Sequence, residues 1–444
     1  MIKILGYADD SNIFAINDQA ITQIFTIVNP FENATGCRLN RNKTKIFGFG
    51  SWGNKDNWPI PWLNSVTGSF TTLGISVSND YCTAVDLVWS GMIRRIKNTL
   101  ASFHSRKLTL YQKATIANSL LLSKIWYVSH VYLLLIRYSK LISKEIFFYI
   151  WGRKCEFIKR DTLTKPKKEG GIGLINLLLK AHSIYASSFL KMYFDDRYNF
   201  MSKYYISSRT HDLFDEVLLL REASPTIPSN YLDVFKILVK FKELPNFPLI
   251  KAKVIYNSSL PSPGPTVESK YPLYNWPCIW ENISLKFIVP RDRDIIYKYL
   301  HEILPNRKRL KEMRITNDPK CPHCDVEESN IHMVYFCIKV KNLVLWLKNA
   351  LKYFCNFQNC NYLKILYFDL PKVTKLTRNT AILVISSYIV NIWLCKEKNL
   401  SEGNVINKIR ANILLNQKYN TSIYKENMCK MFTSNYCNID CEAF

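Results

Sequence analysis

The chain has 444 residues, 48% of them apolar, with 60 Lys and Arg against 35 Asp and Glu, a formal net charge of +25. That length and apolar content allow a large buried core and more than one domain, which excludes a disordered chain or a single small module. The positive excess favours a polyanionic partner, nucleic acid being the commonest. A merely lysine-rich composition would spread the charge evenly, and it is not even. Residues 1–80 hold 6 Lys/Arg and 6 Asp/Glu, residues 81–200 hold 20 against 7, and the remainder 34 against 22. Charge gathered in one stretch suggests a track for a phosphate backbone.

The start, MIKILGYADD, is too short and too quickly acidic for a secretory leader. The 13 cysteines are therefore read as thiols of a reducing compartment, available to metal. Ile2–Tyr7 and Ser11–Ile16 read as strands of a hairpin joined through Ala8, Asp9 and Asp10. Adjacent carboxylates on such a tip repel unless a cation neutralises them. Mg2+ suits them, because it takes one or two carboxylates together with waters and substrate phosphates. The plainer alternative is an acidic turn. Asp18–Ala34 reads as an amphipathic helix with Ile21, Ile24, Phe25 and Val28 on one face, and Pro30 is expected to kink it or end it early.

Further along, Val85, Val88, Met92, Ile96 and Leu100 form a helical stripe that leaves Arg94 and Lys97 outside it. Arg106-Lys107-Leu108-Thr109 precedes a helix through Lys113 and Lys124. Leu120–Ile136, interrupted by Lys124 and His130, reads as a buried helix more than a membrane span. The glycines of Lys165-Pro166-Lys167-Lys168-Glu169-Gly170-Gly171-Ile172-Gly173-Leu174 permit backbone geometry closed to other residues. The lysines there either approach a phosphate or sit on an ordinary basic loop. Residues 201–300 show no catalytic constellation. Ser258–Pro265 reads as a linker, and the aromatic run Tyr271–Trp280 is expected to pack a following module.

Cys321, Cys324, His332 and Cys337 give the spacing C-x2-C-x7-H-x4-C, a donor set suited to a closed tetrahedral Zn2+ site. His323 lies inside the first turn and is not expected to ligate. Arg307, Lys308 and Arg309 lie on a basic helix just ahead. Zinc there either staples a small fold or also organises a basic surface. Beyond it, Ala381–Trp393 and Ile406–Leu415 read as helical. Cys355 with Cys360, or Cys429, Cys437 and Cys441, are alternative metal sets, but without histidine they read better as buried or free thiols. Neither internal repeats nor endonuclease or RNase H signatures are evident.

Tyr7-Ala8-Asp9-Asp10 resembles the YxDD box of reverse transcriptases. Gly36-Cys37-Arg38-Leu39-Asn40-Arg41-Asn42-Lys43-Thr44 is similar to the family's G-L-x-x-N-x-x-K-T segment, with Cys37 in place of leucine. Phe70-Thr71-Thr72-Leu73-Gly74-Ile75 resembles its YLGI element, with Thr72 in place of tyrosine. Lys165–Leu174 is similar to the P-x-x-x-G-G-L-G-L turn of LINE-type, non-LTR retrotransposon enzymes, which retroviral enzymes lack. Leu304-Pro305 through Leu310, followed by the CCHC set, resembles the zinc segment of that class.

The resemblance implies an α+β chain: a partial reverse-transcriptase palm with an antiparallel hairpin (1–80), a mainly helical thumb (81–200), a connector (201–300), a zinc knuckle (301–345) and a helical C-terminal region (346–444). It implies that Asp9 and Asp10 bind Mg2+ for two-metal nucleotidyl transfer. Lys43 would position the nucleotide or protonate the departing pyrophosphate. It places Tyr7, Leu73, Gly74, Arg94, Lys97, Lys165, Lys167, Lys168, Arg307, Lys308 and Arg309 along nucleic acid, with an RNA template, a DNA primer or target, and deoxynucleotide triphosphates as partners. Fingers and an earlier metal-binding aspartate would lie upstream of Met1, so little polymerisation is expected of this chain alone. Cytoplasm and nucleus are the expected locations, with no membrane association. The alternative is a nucleic-acid-binding remnant without catalysis, using the basic thumb and the zinc knuckle.

Overall fold

The computed structural model describes residues 3–7, 10–195, 229–241, 243–244, 251–261, 266–355, 357, 360–396 and 401–419. Asp9, Cys429, Cys437 and Cys441 lie outside these residues, as does the side chain of Tyr7. The protein is mostly helical, at 61%, and each sheet among the described residues has two strands. The chain divides into two compact units. One comprises Met1–Ser102, Leu121–Ser143 and Leu177–Leu260, and the other Phe103–Leu120, Lys144–Asn176 and Pro261–Phe444. The stretch 81–200 thus contributes to both, and one boundary falls at Leu260 within the turn-rich Ser258–Pro265.

In the first unit, β1 (Lys3–Tyr7) and β2 (Asp10–Phe14) form the expected antiparallel hairpin, with Tyr7 opposite Asp10. Helix Asp18–Thr35 follows, its first turn capped by Asn17, whose Oδ1 accepts from the Ala20 N–H at 2.8 Å. It runs through Pro30 instead of stopping there, and ends at Gly36 in the left-handed conformation, φ 71°. Ile21 is its buried anchor, while Ile24, Phe25 and Val28 are half-buried beside it. Short strands β3 (Lys45–Ile46) and β4 (Asn64–Ser65) pair in parallel. The antiparallel pair β5 (Ser69–Thr72) and β6 (Ile75–Ser78) comes next.

Helix Tyr81–Phe103 buries the whole stripe expected from its spacing, together with Ala84 and Trp89, and Trp89 Nε1 donates to the Leu133 carbonyl at 3.0 Å. The apolar run from Leu120 differs from expectation. A π turn over Ala117–Leu122 leads into helix Ser123–Val128, which ends well before Ile136. Leu121, Leu122, Ile125, Val128, Leu133 and Leu134 are all buried, so the run belongs to the interior without being one helix. Periodicity cannot separate these cases in a continuous apolar segment. The first unit's core closes where helix Leu177–Phe194 packs with helices Ser229–Phe241 and Ala252–Ser258.

The second unit is built around helix Lys375–Lys396, which packs on helices Lys341–Cys355, Glu402–Tyr419 and Pro290–Leu300. By length and composition this helix could cross a membrane, but 89% of its apolar window is buried inside the protein, as in a core helix. The aromatic run packs as expected: Tyr271, Tyr274 and Tyr299 meet Tyr367, and Trp276 stacks on Trp280 with centroids 5.3 Å apart.

Candidate functional site

Four side chains converge in the second unit. The ligand atoms of Cys321, Cys324, His332 and Cys337 all lie within 4.8 Å of one another. Local backbone geometry brings them there. Lys320 and Glu327 form an antiparallel bridge, and the Cys321 N–H donates to the Val326 carbonyl at 2.8 Å. Asp325 turns the chain in the left-handed region, φ 53°, and so folds Cys324 back beside Cys321. The second pair sits at the ends of a π turn, His332–Phe336, where the Cys337 N–H donates to the His332 carbonyl at 2.8 Å. That wider turn brings residues five apart to one spot.

The residues fit zinc. Cys337 Sγ lies 3.7 Å from both Cys321 Sγ and Cys324 Sγ, too far for a disulfide. A tetrahedron with Zn–S bonds of about 2.3 Å has edges of about 3.8 Å. His332 Nε2 is buried without a hydrogen-bond partner among the described residues. A buried ring nitrogen left unpaired is costly, and a metal would satisfy it. Burial pushes the Cys337 thiol up to about 12, and the two neighbouring thiols add to the shift. Burial also lowers the His332 pKa, which favours the neutral imidazole that ligates metals. His323 is not among the four, as the spacing predicts.

The knuckle is braced from outside. Glu328 is buried; its Oε2 accepts from the Arg307 N–H at 2.8 Å and pairs with Lys396 Nζ at 2.7 Å, on the central helix. Asn330 Nδ2 donates to the Tyr299 carbonyl at 2.9 Å. The basic helix Arg307–Glu312 carries its charges in local pairs: Arg307 with Asp318 at 3.6 Å, Lys308 with Glu327 at 2.9 Å, and Arg309 with Glu312 at 2.6 Å. Pairs this exposed are weak, and a phosphate can compete for them.

The first unit holds the hairpin group. Asp10 is exposed, and among the described residues it belongs to no cluster of three or more His, Cys, Asp or Glu. Asn40 explains the segment around Lys43. Its Oδ1 accepts from the Lys43 N–H at 3.2 Å, and its carbonyl accepts from Thr44 Oγ1 at 2.9 Å. Asn40 and Thr44 thus lock a tight turn with Lys43 exposed on it. Leu73 and Gly74, at φ 47° and 76°, form the two-residue turn between β5 and β6, a geometry whose twist matches antiparallel strands. A leucine in that region is strained by about 1–2 kcal/mol. Tyr127 holds it, donating its phenol to the Leu73 carbonyl at 2.7 Å. Thr72 Oγ1 donates to Asn12 Oδ1 on β2 at 3.0 Å, which joins this turn to the acidic hairpin.

Arg94 and Lys97 are exposed on helix Tyr81–Phe103. In the glycine loop of the second unit, Lys165 is committed to Glu268 at 3.1 Å, whereas Lys167 and Lys168 are exposed. The loop is clamped by Trp280, Tyr297 and His301. Tyr297 Oη and His301 Nε2 each lie 3.0 Å from the Gly170 carbonyl, and Trp280 Nε1 donates to Glu268 at 2.8 Å. Burial lowers the His301 pKa to about 4, so this imidazole is neutral near pH 7.

Sequence reasoning missed this clamp, the Glu328–Lys396 brace and the Tyr127 prop, because each partner lies far along the chain. It also missed Lys55, which sits over Trp52 at 4.1 Å and Trp58 at 5.1 Å while its ammonium meets Asp18 at 2.5 Å. Three tryptophans within Trp52–Trp62 were the available signal. No protein-family model matches the sequence, and no curated protein matches it.

Proposed function

We propose that this chain carries the part of a non-LTR retrotransposon reverse transcriptase that runs from the metal-binding hairpin through the thumb to the zinc knuckle. Its activity would be RNA-directed DNA synthesis by nucleotidyl transfer. The observation that carries this reading is the Thr72–Asn12 hydrogen bond, which sets the Leu73–Gly74 turn beside the strand bearing Asp10. Side chains alternate along a strand, so Asp10 and Asn12 share one face. A primer end lying along that turn would have its terminus near the acidic residues.

In this reading Asp9 and Asp10 hold Mg2+, which when bound supplies charge to activate a 3′-hydroxyl and steady pyrophosphate. Lys43, held out on its Asn40 turn, meets the nucleotide phosphates. Exposed Arg94 and Lys97 contact the backbone of the hybrid, and the zinc knuckle presents Arg307, Lys308 and Arg309 to template RNA or target DNA. A second reading, nucleic-acid binding without catalysis, is favoured by the exposure of Asp10. Primer extension separates the two. With the chain joined to the fingers and remaining palm that the resemblance implies, incorporation on an RNA template with Mg2+, abolished by Asp10→Ala, is expected for the polymerase. Hybrid binding that falls steeply with salt but yields no extension favours the second reading.

A further inference from the structure

The second unit carries a concentration of cations and rings outside the zinc knuckle. Residues 103–113 and 144–168 hold 11 Lys and Arg against 3 Asp and Glu. Aromatic rings are interleaved with those charges. At the C-terminal end of helix Ile136–Trp151 the sequence is Phe147-Phe148-Tyr149-Ile150-Trp151. Phe148 is 39% exposed and stacks on exposed His104, with rings 7° from parallel and centroids 6.2 Å apart. Arg106 lies over Phe103 at 4.7 Å, Arg153 over Phe157 at 5.2 Å and Arg160 over Phe147 at 4.4 Å. Lys113 is anchored to the Ile150 carbonyl at 3.1 Å. Exposed Lys107, Lys144 and Lys154 belong to the same segments.

We propose that this surface binds single-stranded nucleic acid, with bases stacking on Phe148 and His104 and phosphates lying along Arg106, Lys107, Arg153 and Lys154. Charge selects a polyanion, and the rings select its state. A duplex hides its base faces and offers only phosphates and groove edges. An unpaired strand offers ring faces on which an exposed ring can stack. An acidic protein would meet the cations but would leave the His104–Phe148 stack unused. The proposal rests on the reading above only in taking nucleic acid as the polyanion. It involves no metal chemistry, so failure of primer extension leaves it standing.

The test is fluorescence anisotropy with the full zinc-loaded chain, titrated against a labelled oligothymidylate and a blunt duplex of equal length over a salt series. The single strand is expected to bind more tightly. Phe148→Ala should lower its affinity roughly ten-fold with the salt slope unchanged, and His104→Ala should act in the same direction. Lys154→Ala should weaken both ligands and reduce the slope by about one. Because Phe148 and His104 are exposed, circular dichroism should show the variants folded. Duplex bound as tightly as single strand would overturn the proposal. So would equal losses on both ligands in Phe148→Ala.

Discussion

The full chain is expected to bind one Zn2+ at the Cys321, Cys324, His332 and Cys337 quartet and to lose it, with much of the second unit's stability, when Cys337 is replaced by serine. The stabilisation at stake is on the order of 10 kcal/mol, the scale of structural zinc in small knuckles. Without the ion, three thiols remain crowded, two sulfur pairs at 3.7 Å, around a buried and unpaired imidazole nitrogen. The loss should spread, because buried Glu328 ties the knuckle to Lys396 on the core helix. Elemental analysis for metal content, with thermal melting before and after a chelator, reads both effects. His323→Ala is the control and should keep its zinc. A chain that holds no zinc, or one in which His323→Ala loses it as readily as Cys337→Ser, would reject the site.

Gly171→Ala is expected to destabilise the second unit by about 3 kcal/mol or more, at the upper end of overpacking effects. A Cβ there would lie 1.9 Å from the Lys165 carbonyl oxygen and 2.8 Å from its Cα, and those backbone atoms cannot rotate away. The loop is tied on both sides of the clash, by Gly171 N–H to the Pro166 carbonyl at 3.1 Å and Gly173 N–H to the Lys165 carbonyl at 3.0 Å. Gly173→Ala makes the comparison. Its Cβ would meet open space, so only the positive φ of 70° opposes it, at about 1–2 kcal/mol. Denaturant melts of the two variants measure the difference. Equal effects would mean that the loop relaxes and that the clamp on it is loose. The outcome also bears on the lysines: a loop fixed by its own packing presents Lys167 and Lys168 without needing a phosphate to order it.

Spacing made some features legible. The stripe from Val85 to Leu100 repeats every three or four residues, so its buried face could be read directly, with Arg94 and Lys97 outside it. The quartet was legible for a similar reason, since thiols and imidazole close in sequence need only two turns to meet. The segment around Lys43 matched as a pattern, but its physical basis emerged only in three dimensions, with Asn40 accepting from the turn that carries Lys43. Pro30 was expected to kink the helix or end it early, and the helix continues past it to Thr35. The interleaving of the chain between the two units was not legible. Lys165 meets Glu268, and Gly170 meets Trp280 and Tyr297, across more than a hundred residues, and no local pattern announces such returns. Leu73 was singled out by resemblance, whereas Tyr127, which holds its carbonyl, carried no motif.

Site-directed cleavage by iron most directly tests the idea that the acidic hairpin serves a growing nucleic-acid end. Fe2+ substituted for Mg2+ in the full chain, bound to an RNA template and DNA primer with a reductant and peroxide, generates hydroxyl radicals where the ion is held. Cuts clustered at the 3′ terminus of the primer, absent with Asp10→Ala, are the predicted result. Cuts scattered along the hybrid, or an unchanged pattern with Asp10→Ala, would contradict it.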